Sequence, residues 1–201
     1  MKIILLFVVL CLSVLVNGSR HNHHSHSGRH NHHSHGDHIG YYWDDYKRNR
    51  LLKGVVAGKD IRNKEIYIGI AKHVEGNKEF LVPGVIYPWD AEEHMTYEWN
   101  KGPQTVTEGF RMLYSDYLDH MVWIQTNAND VRHLIHDKEL ISAGYDEEHN
   151  KYYIGRIQID GLYYAGKIII SNIDDKNGFH CLTKTGYLHT NEFEVLTHQM
   201  K

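Results

Sequence analysis

The chain has 201 residues, a formal net charge of −3 with histidine neutral, and 41% hydrophobic residues, among them 14 tyrosines; it also carries 18 histidines. That length exceeds a peptide hormone and suffices for one sizeable core. The mildly acidic balance excludes the basic footprint of a nucleic-acid binder.

In chain order, residues 1–18 come first. Lys2 precedes an apolar run from Ile3 to Val16, and Val16-Asn17-Gly18 offers a small residue for cleavage. This is the pattern of a secretory signal peptide. The run is short for a membrane span and no later segment approaches it, so the expected product is exported, extracellular and without a transmembrane segment. Removal of the signal takes Cys11 and leaves Cys181 as the remaining thiol. One cysteine allows no internal disulfide framework. Cys181 is expected as a buried core residue, with pairing between chains as the alternative.

Residues 19–42 form a histidine-rich tail. "RHNHHSH" occurs at 20–26 and again at 29–35. His21, His23, His24, His26, His30, His32, His33, His35 and His38 sit among Asn, Ser, Gly and Arg with no aliphatic side chain between them. Such a segment cannot bury enough to offset its ordering entropy, so it is expected to be disordered. Neutral imidazoles suit Zn(II), Cu(II) and Ni(II), and protonation below neutral pH would charge the tail. The plain alternative is a solvated linker lengthened by duplication. Cleavage after Gly18 would leave Ser19-Arg20-His21 at the terminus. A free amine, two amides and an imidazole there would make a square-planar nitrogen set for Cu(II) or Ni(II).

The remainder repeats itself, over 43–119 and 120–201. "VVAGKDIRNKEIYIGIA" at 55–71 aligns with "ISAGYDEEHNKYYIGRI" at 141–157, so that Ala57, Gly58, Asp60, Tyr67, Ile68 and Gly69 coincide with Ala143, Gly144, Asp146, Tyr153, Ile154 and Gly155. "VPGVI" at 82–86 faces "YAGKI" at 164–168, "FRML" at 110–113 faces "FEVL" at 193–196, and Trp43 and Trp123 each precede a copy. Repeats on this scale organise a whole fold. Ile66, Ile68 and Ile70 alternate with Tyr67, Gly69 and Ala71, the period of a half-buried strand. Asp160-Gly161 is a hairpin turn signal, Asn177-Gly178 another, and "EGN" at 75–77 is its counterpart in the first copy, lengthened by four residues. Helical turns are suggested only at Asp90–Trp99 and Asn129–Lys138. The fold class is therefore all-β: two tandem antiparallel repeats after a disordered tail.

The ordered set "AGxD", "YIG", "GK", Cys181 and "FEVL", present in whole or part in both copies, resembles the DM-nine repeat, found also in natterin-like proteins. The resemblance spans about 43–198. It implies a pseudo-twofold tandem domain, and in some members a metal-independent lectin for mannose and mannose-rich microbial surfaces, often dimeric. Sugar contacts in the family centre on the Asp of GxD and the Lys of PGK. Here those positions are Asp146 and Lys167 in the second copy. The first copy keeps Asp60 but has Val85 for the lysine and Ile70 where the second has Arg156, so its site reads as weakened. Charged partners make the stronger hydrogen bonds to hydroxyls, and Tyr145, Tyr163 or Tyr164 could cover an apolar sugar face. The plain alternative is that Asp146 caps a turn and Lys167 is a solvated strand residue.

Other groupings carry less. His133 and His136 lack further metal partners, Glu147-Glu148 gives no separation to judge as a glycosidase pair, and no nucleophile elbow, HExxH or phosphate loop occurs. The sequence thus predicts a secreted, non-enzymatic, carbohydrate-binding recognition protein of innate immunity or a secretion such as saliva, needing no cofactor. The alternative is a metal- or pH-responsive secreted protein acting through its tail.

Overall fold

A computed structural model describes residues 40–170 and 177–199. The signal segment, the histidine tract with its nine candidate ligands, and Ser19-Arg20-His21 lie outside those residues.

The first half comprises β1 (Tyr41–Asp45), β2 (Val56–Lys59), β3 (Glu65–Glu75), β4 (Lys78–Tyr87), β5 (His94–Trp99), β6 (Gly102–Val106) and β7 (Arg111–Ser115). The second comprises β8 (Met121–Asn127), α1 (Val131–Asp137), β9 (Glu139–Leu140), β10 (Ser142–Tyr145), β11 (Lys151–Ile159), β12 (Leu162–Ile169), β13 (Gly178–Thr183), β14 (Gly186–Thr190) and β15 (Glu192–His198). All pairings are antiparallel, and those of the first half recur in the second. β1 pairs β7, β7 pairs β3, β2 pairs β3, and β3, β4, β5 and β6 follow as neighbours. In the same roles β8 pairs β15, β15 pairs β11, β10 pairs β11, and β11, β12, β13 and β14 follow. The short β9 adds to β15, and its counterpart in the first half is the single antiparallel bridge between Gly54 and Tyr114.

Between halves, β10 packs on β4 and β12 packs on β2. β12 also meets β4, β13 meets β5, and β14 meets β6. Contacts that exchange equivalent elements in this way define an isologous, twofold arrangement. The core follows the same symmetry. One buried cluster combines Val55, Ala57, Ile68 and Leu113 with their counterparts Ile141, Ala143, Ile154 and Leu196. Each half then has an outer cluster of its own: Ile86, Met95, Phe110 and Met112 in the first, Ile168, Phe179, Phe193 and Val195 in the second. Cys181 belongs to this second outer cluster at 1% exposure, and burial pushes its thiol up to about 12.

Local chemistry explains the hairpins. Asp160 and Gly161 both take positive φ, 51° and 80°, between β11 and β12, as a two-residue hairpin of matching twist requires. Gly76-Asn77 links β3 and β4 with the same loop length. The four extra residues of the first copy therefore lengthen the strands, two on each, rather than the turn. Asn177-Gly178 is not a tight turn of its own, because the β12–β13 ladder closes at Ile169 and Gly178, across a longer connection.

The helical turn expected at Asp90–Trp99 is a correction. Residues 94–99 are β5, with Met95 and Tyr97 inward on the outer core. The apolar spacing there is two, and adjoining polar residues disguised it. The helix expected at Asn129–Lys138 is present as α1, with Val131 buried and His133 and His136 exposed.

Candidate functional site

Asp60 and Asp146 do the same local work. Each follows a short strand and opens a five-residue turn into the long strand of its half. Asp146 Oδ1 accepts the backbone N–H groups of Glu148 at 2.9 Å and Asn150 at 2.8 Å, and Oδ2 accepts the Asn150 side-chain amide at 2.9 Å. Asp60 Oδ1 accepts those of Arg62 at 2.8 Å and Lys64 at 2.9 Å. The fourth residue of each turn, Asn63 or His149, takes a left-handed φ of 60° or 63°. Capping and ligand contact are compatible, because an ionised carboxylate has about four lone-pair sites.

The two aspartates differ in their remaining capacity. Arg62 folds back on Asp60, donating from Nε to Oδ2 at 2.8 Å, and its guanidinium also pairs with Asp90. Burial pushes the Asp60 carboxyl up, but hydrogen bonds from Lys64 and Arg62 outweigh it and leave the group below the usual carboxylate range. Beside Asp146 the equivalents of Ile61 and Arg62 are Glu147 and Glu148, so among the described residues no cation covers it. Glu147 instead reaches Lys78 in the other half.

Lys167 lies on β12 and is 6% exposed. Its ammonium bonds Glu98 Oε2 at 2.8 Å and the Glu98 carbonyl at 3.2 Å, across the twofold on β5. Glu98 is equally buried at 6%. The ammonium also lies 5.4 Å from the Trp99 ring and 5.5 Å from the Tyr152 ring, within cation–π range. A solvated lysine is therefore excluded.

These elements meet at a cleft between the halves, about 600 Å³, whose lining includes Phe80, Trp99, Asn100, Asp146, Asn150 and Tyr152. Lys167 and Glu98 lie beneath its aromatic wall. Trp99 stacks on His73 at 4.2 Å and leans on Phe80 at 4.5 Å. Trp99 Nε1 is buried and has no hydrogen-bond partner among the described residues. Burial raises the Tyr152 phenol, and the charges of Asp146 and Glu98 on either side raise it further. Tyr145, Tyr163 and Tyr164 are elsewhere, so the aromatics beside Asp146 are Trp99, Phe80 and Tyr152.

The twofold supplies a second cleft, about 640 Å³, around Asp60, Ile66, Tyr87, Leu162, Tyr164 and Leu182. Register makes Val85 the counterpart of Lys167, Leu182 of Glu98, and Thr183 of Trp99. The buried ion pair of one cleft is an apolar pair in the other. Two symmetric clefts thus carry different chemistry.

Sequence reading had placed Asp146 and Lys167 in one repeat, and the structure brings both toward the same cleft. It missed Glu98, Trp99 and Phe80, which come from the other repeat. An alternating reading of residues 94–99 would have set Glu98 on the face opposite Met95 and Tyr97. Among the described residues no group of three or more His, Cys, Asp or Glu is placed to hold a metal, and no helix is long and apolar enough to cross a membrane.

A family profile described as the DM9 repeat matches residues 60–174. Among solved structures, the crystal structure of the nematode sperm cell motility protein MFP2B is similar to 79% of this chain and 47% of that chain, with a TM-score of 0.48 and 13% identity. The chain thus spans about half the length of that protein. No curated protein matches.

Proposed function

The chain belongs to the DM9 repeat family, and from that premise we propose that it is an exported, non-enzymatic carbohydrate-binding protein that recognises mannose-type glycans, such as those of microbial surfaces, through the Asp146 cleft. One observation carries the reading: Asp146 opens onto a cleft walled by Trp99, Phe80 and Tyr152, while its symmetric counterpart Asp60 is closed off by Arg62. The lone-pair site that the turn leaves free on the Asp146 carboxylate accepts a charge-assisted bond from a sugar hydroxyl, and an aromatic wall covers the apolar face of a sugar ring. The cleft falls in the size range of small-ligand sites. Lys167, held by Glu98, sets the aromatic wall from beneath. Affinity per site is weak and gains from multivalent display.

The test is a glycan array with and without chelator, followed by titration of mannose-rich oligosaccharide into three proteins. Asp146→Asn keeps an oxygen for the turn but removes the charge, and weakens binding about tenfold. Asp60→Asn leaves it unchanged. Equal affinity of Asp146→Asn and the unmodified protein sinks the assignment. The doubled "RHNHHSH" motivates a second reading, capture of Cu(II), Ni(II) or Zn(II) by the tail. Calorimetry of the secreted chain against a 39–201 truncation tests it, and equal metal uptake by both disposes of it.

A further inference from the structure

A third position distinguishes the halves. In the second, Arg156 on β11 is clamped. Its Nε donates to Glu194 at 2.7 Å, its Nη1 donates to the Ala57 carbonyl at 3.1 Å, and its guanidinium lies 4.2 Å from the Trp123 ring and 4.3 Å from the Tyr163 ring. The register gives each side chain of this clamp a counterpart in the first half. The Arg156–Glu194 cross-strand pair corresponds to Ile70–Arg111, Trp123 to Trp43, and Tyr163 to Leu81.

The scaffold is retained and the charge is reversed. Where the second half has a guanidinium, the first has a buried isoleucine, and where it has a glutamate, the first has an arginine. The space that Arg156 and Tyr163 occupy is left as a cavity of about 480 Å³, lined by Trp43, Ile70, Leu81, Arg111 and Tyr145. Among the described residues no acid pairs with Arg111; its cross-strand neighbour Asp45 is exposed and forms no ion pair with it. His149 and Lys151 of the second half stand at the same cavity; their counterparts in the first half are Asn63 and Glu65. Trp43 is fixed in place, donating from Nε1 to the Ser142 carbonyl at 3.2 Å.

We propose that this cavity is a binding site for a carboxylate carried on a compact ring, such as a hexuronate. The carboxylate pairs with the Arg111 guanidinium, whose planar fork matches it in two-point fashion. The ring lies against the Trp43 indole, which is already held in position and loses little freedom on binding. A neutral ring gains nothing from Arg111, so the site selects acids. This site is separate from the Asp146 cleft and does not depend on the glycan reading there.

The experiment is calorimetry of the full chain with D-glucuronate, D-glucose and sulfate. Glucuronate binds in the millimolar range or tighter (about −4 kcal/mol or better), while glucose gives no heat of binding and sulfate binds more weakly. Arg111→Gln weakens glucuronate about tenfold or more. Ile70→Arg/Arg111→Glu rebuilds the clamp of the second half, fills the cavity and abolishes binding while the protein still unfolds cooperatively. The proposal is overturned if the unmodified protein takes no glucuronate, if Arg111→Gln binds it as well as the unmodified protein, or if sulfate matches it and so removes any role for the ring.

Discussion

Lys167 and Glu98 show how one residue pair is worth a different amount in two symmetric places. Both are buried, and among the described residues neither has another opposite charge to turn to. Removing one member leaves an uncompensated charge, which costs about 3–5 kcal/mol, whereas a packed apolar pair is often as stable as the ion pair or more so. The protein already contains that apolar version, as Val85 and Leu182. Lys167→Val alone is therefore expected to lose about 3–5 kcal/mol in urea denaturation, and Lys167→Val/Glu98→Leu to recover most of it. Nearby, His73 is packed on Trp99 and bonded to the Tyr97 hydroxyl at 3.0 Å. Burial holds its pKa below the ordinary value, with Glu75 opposing the shift and Lys167 adding to it. The unfolded chain then takes up a proton near pH 6.5 that the folded chain refuses. The stabilisation is full above that pH and is lost as pH falls through it. Thermal unfolding from pH 7.5 to 5 should show this decline, and His73→Gln should flatten it; an unchanged slope in the variant would assign the decline elsewhere.

At the scale of elements, the halves depend on close backbone crossings. Gly144 on β10 has φ +140°, and a Cβ there would lie 2.0 Å from the Leu81 carbonyl oxygen on β4. Neither the backbone angle nor the space admits a side chain. Gly76, also at positive φ, faces open solvent. Gly76→Ala should cost about 1 kcal/mol, while Gly144→Ala should cost more than about 4 kcal/mol by separating β10 from β4. Comparable denaturation midpoints for the two would refute the crossing as a requirement. Such elements were legible where their cause is local. The Ile66–Ile68–Ile70 alternation and the Asp160-Gly161 turn need only neighbouring residues to be understood. The strand at 94–99 was not legible, because its inward pair, Met95 and Tyr97, is too short a pattern without the sheet beside it. The site was half legible for the same reason. Asp146 and Lys167 fall within one repeat, but Glu98 is 69 residues from Lys167 and meets it only across the twofold.

For the whole molecule, the central core is shared, since Val55, Ala57, Ile68 and Leu113 are buried against Ile141, Ala143, Ile154 and Leu196. A half in isolation exposes this face and must find a partner. The charges decide which partner. Two copies of the second half would set each Lys167 opposite Leu182, and two copies of the first would set each Glu98 opposite Val85. Either pairing buries two charges with no counter-ion, a cost of several kcal/mol each. Only the mixed pairing matches Lys167 with Glu98, so the ion pair excludes the symmetric alternatives while adding little net stability, as expected of repulsive elements that set specificity. Separately produced fragments 40–119 and 120–199 are therefore expected to remain without a cooperative unfolding transition at neutral pH, and to fold as a one-to-one complex on mixing. With Lys167→Val in the second fragment, the barrier to its self-pairing is removed and it should form homodimers by sedimentation. Homodimers of the unmodified second fragment would show that the charge pair does not enforce the mixed arrangement.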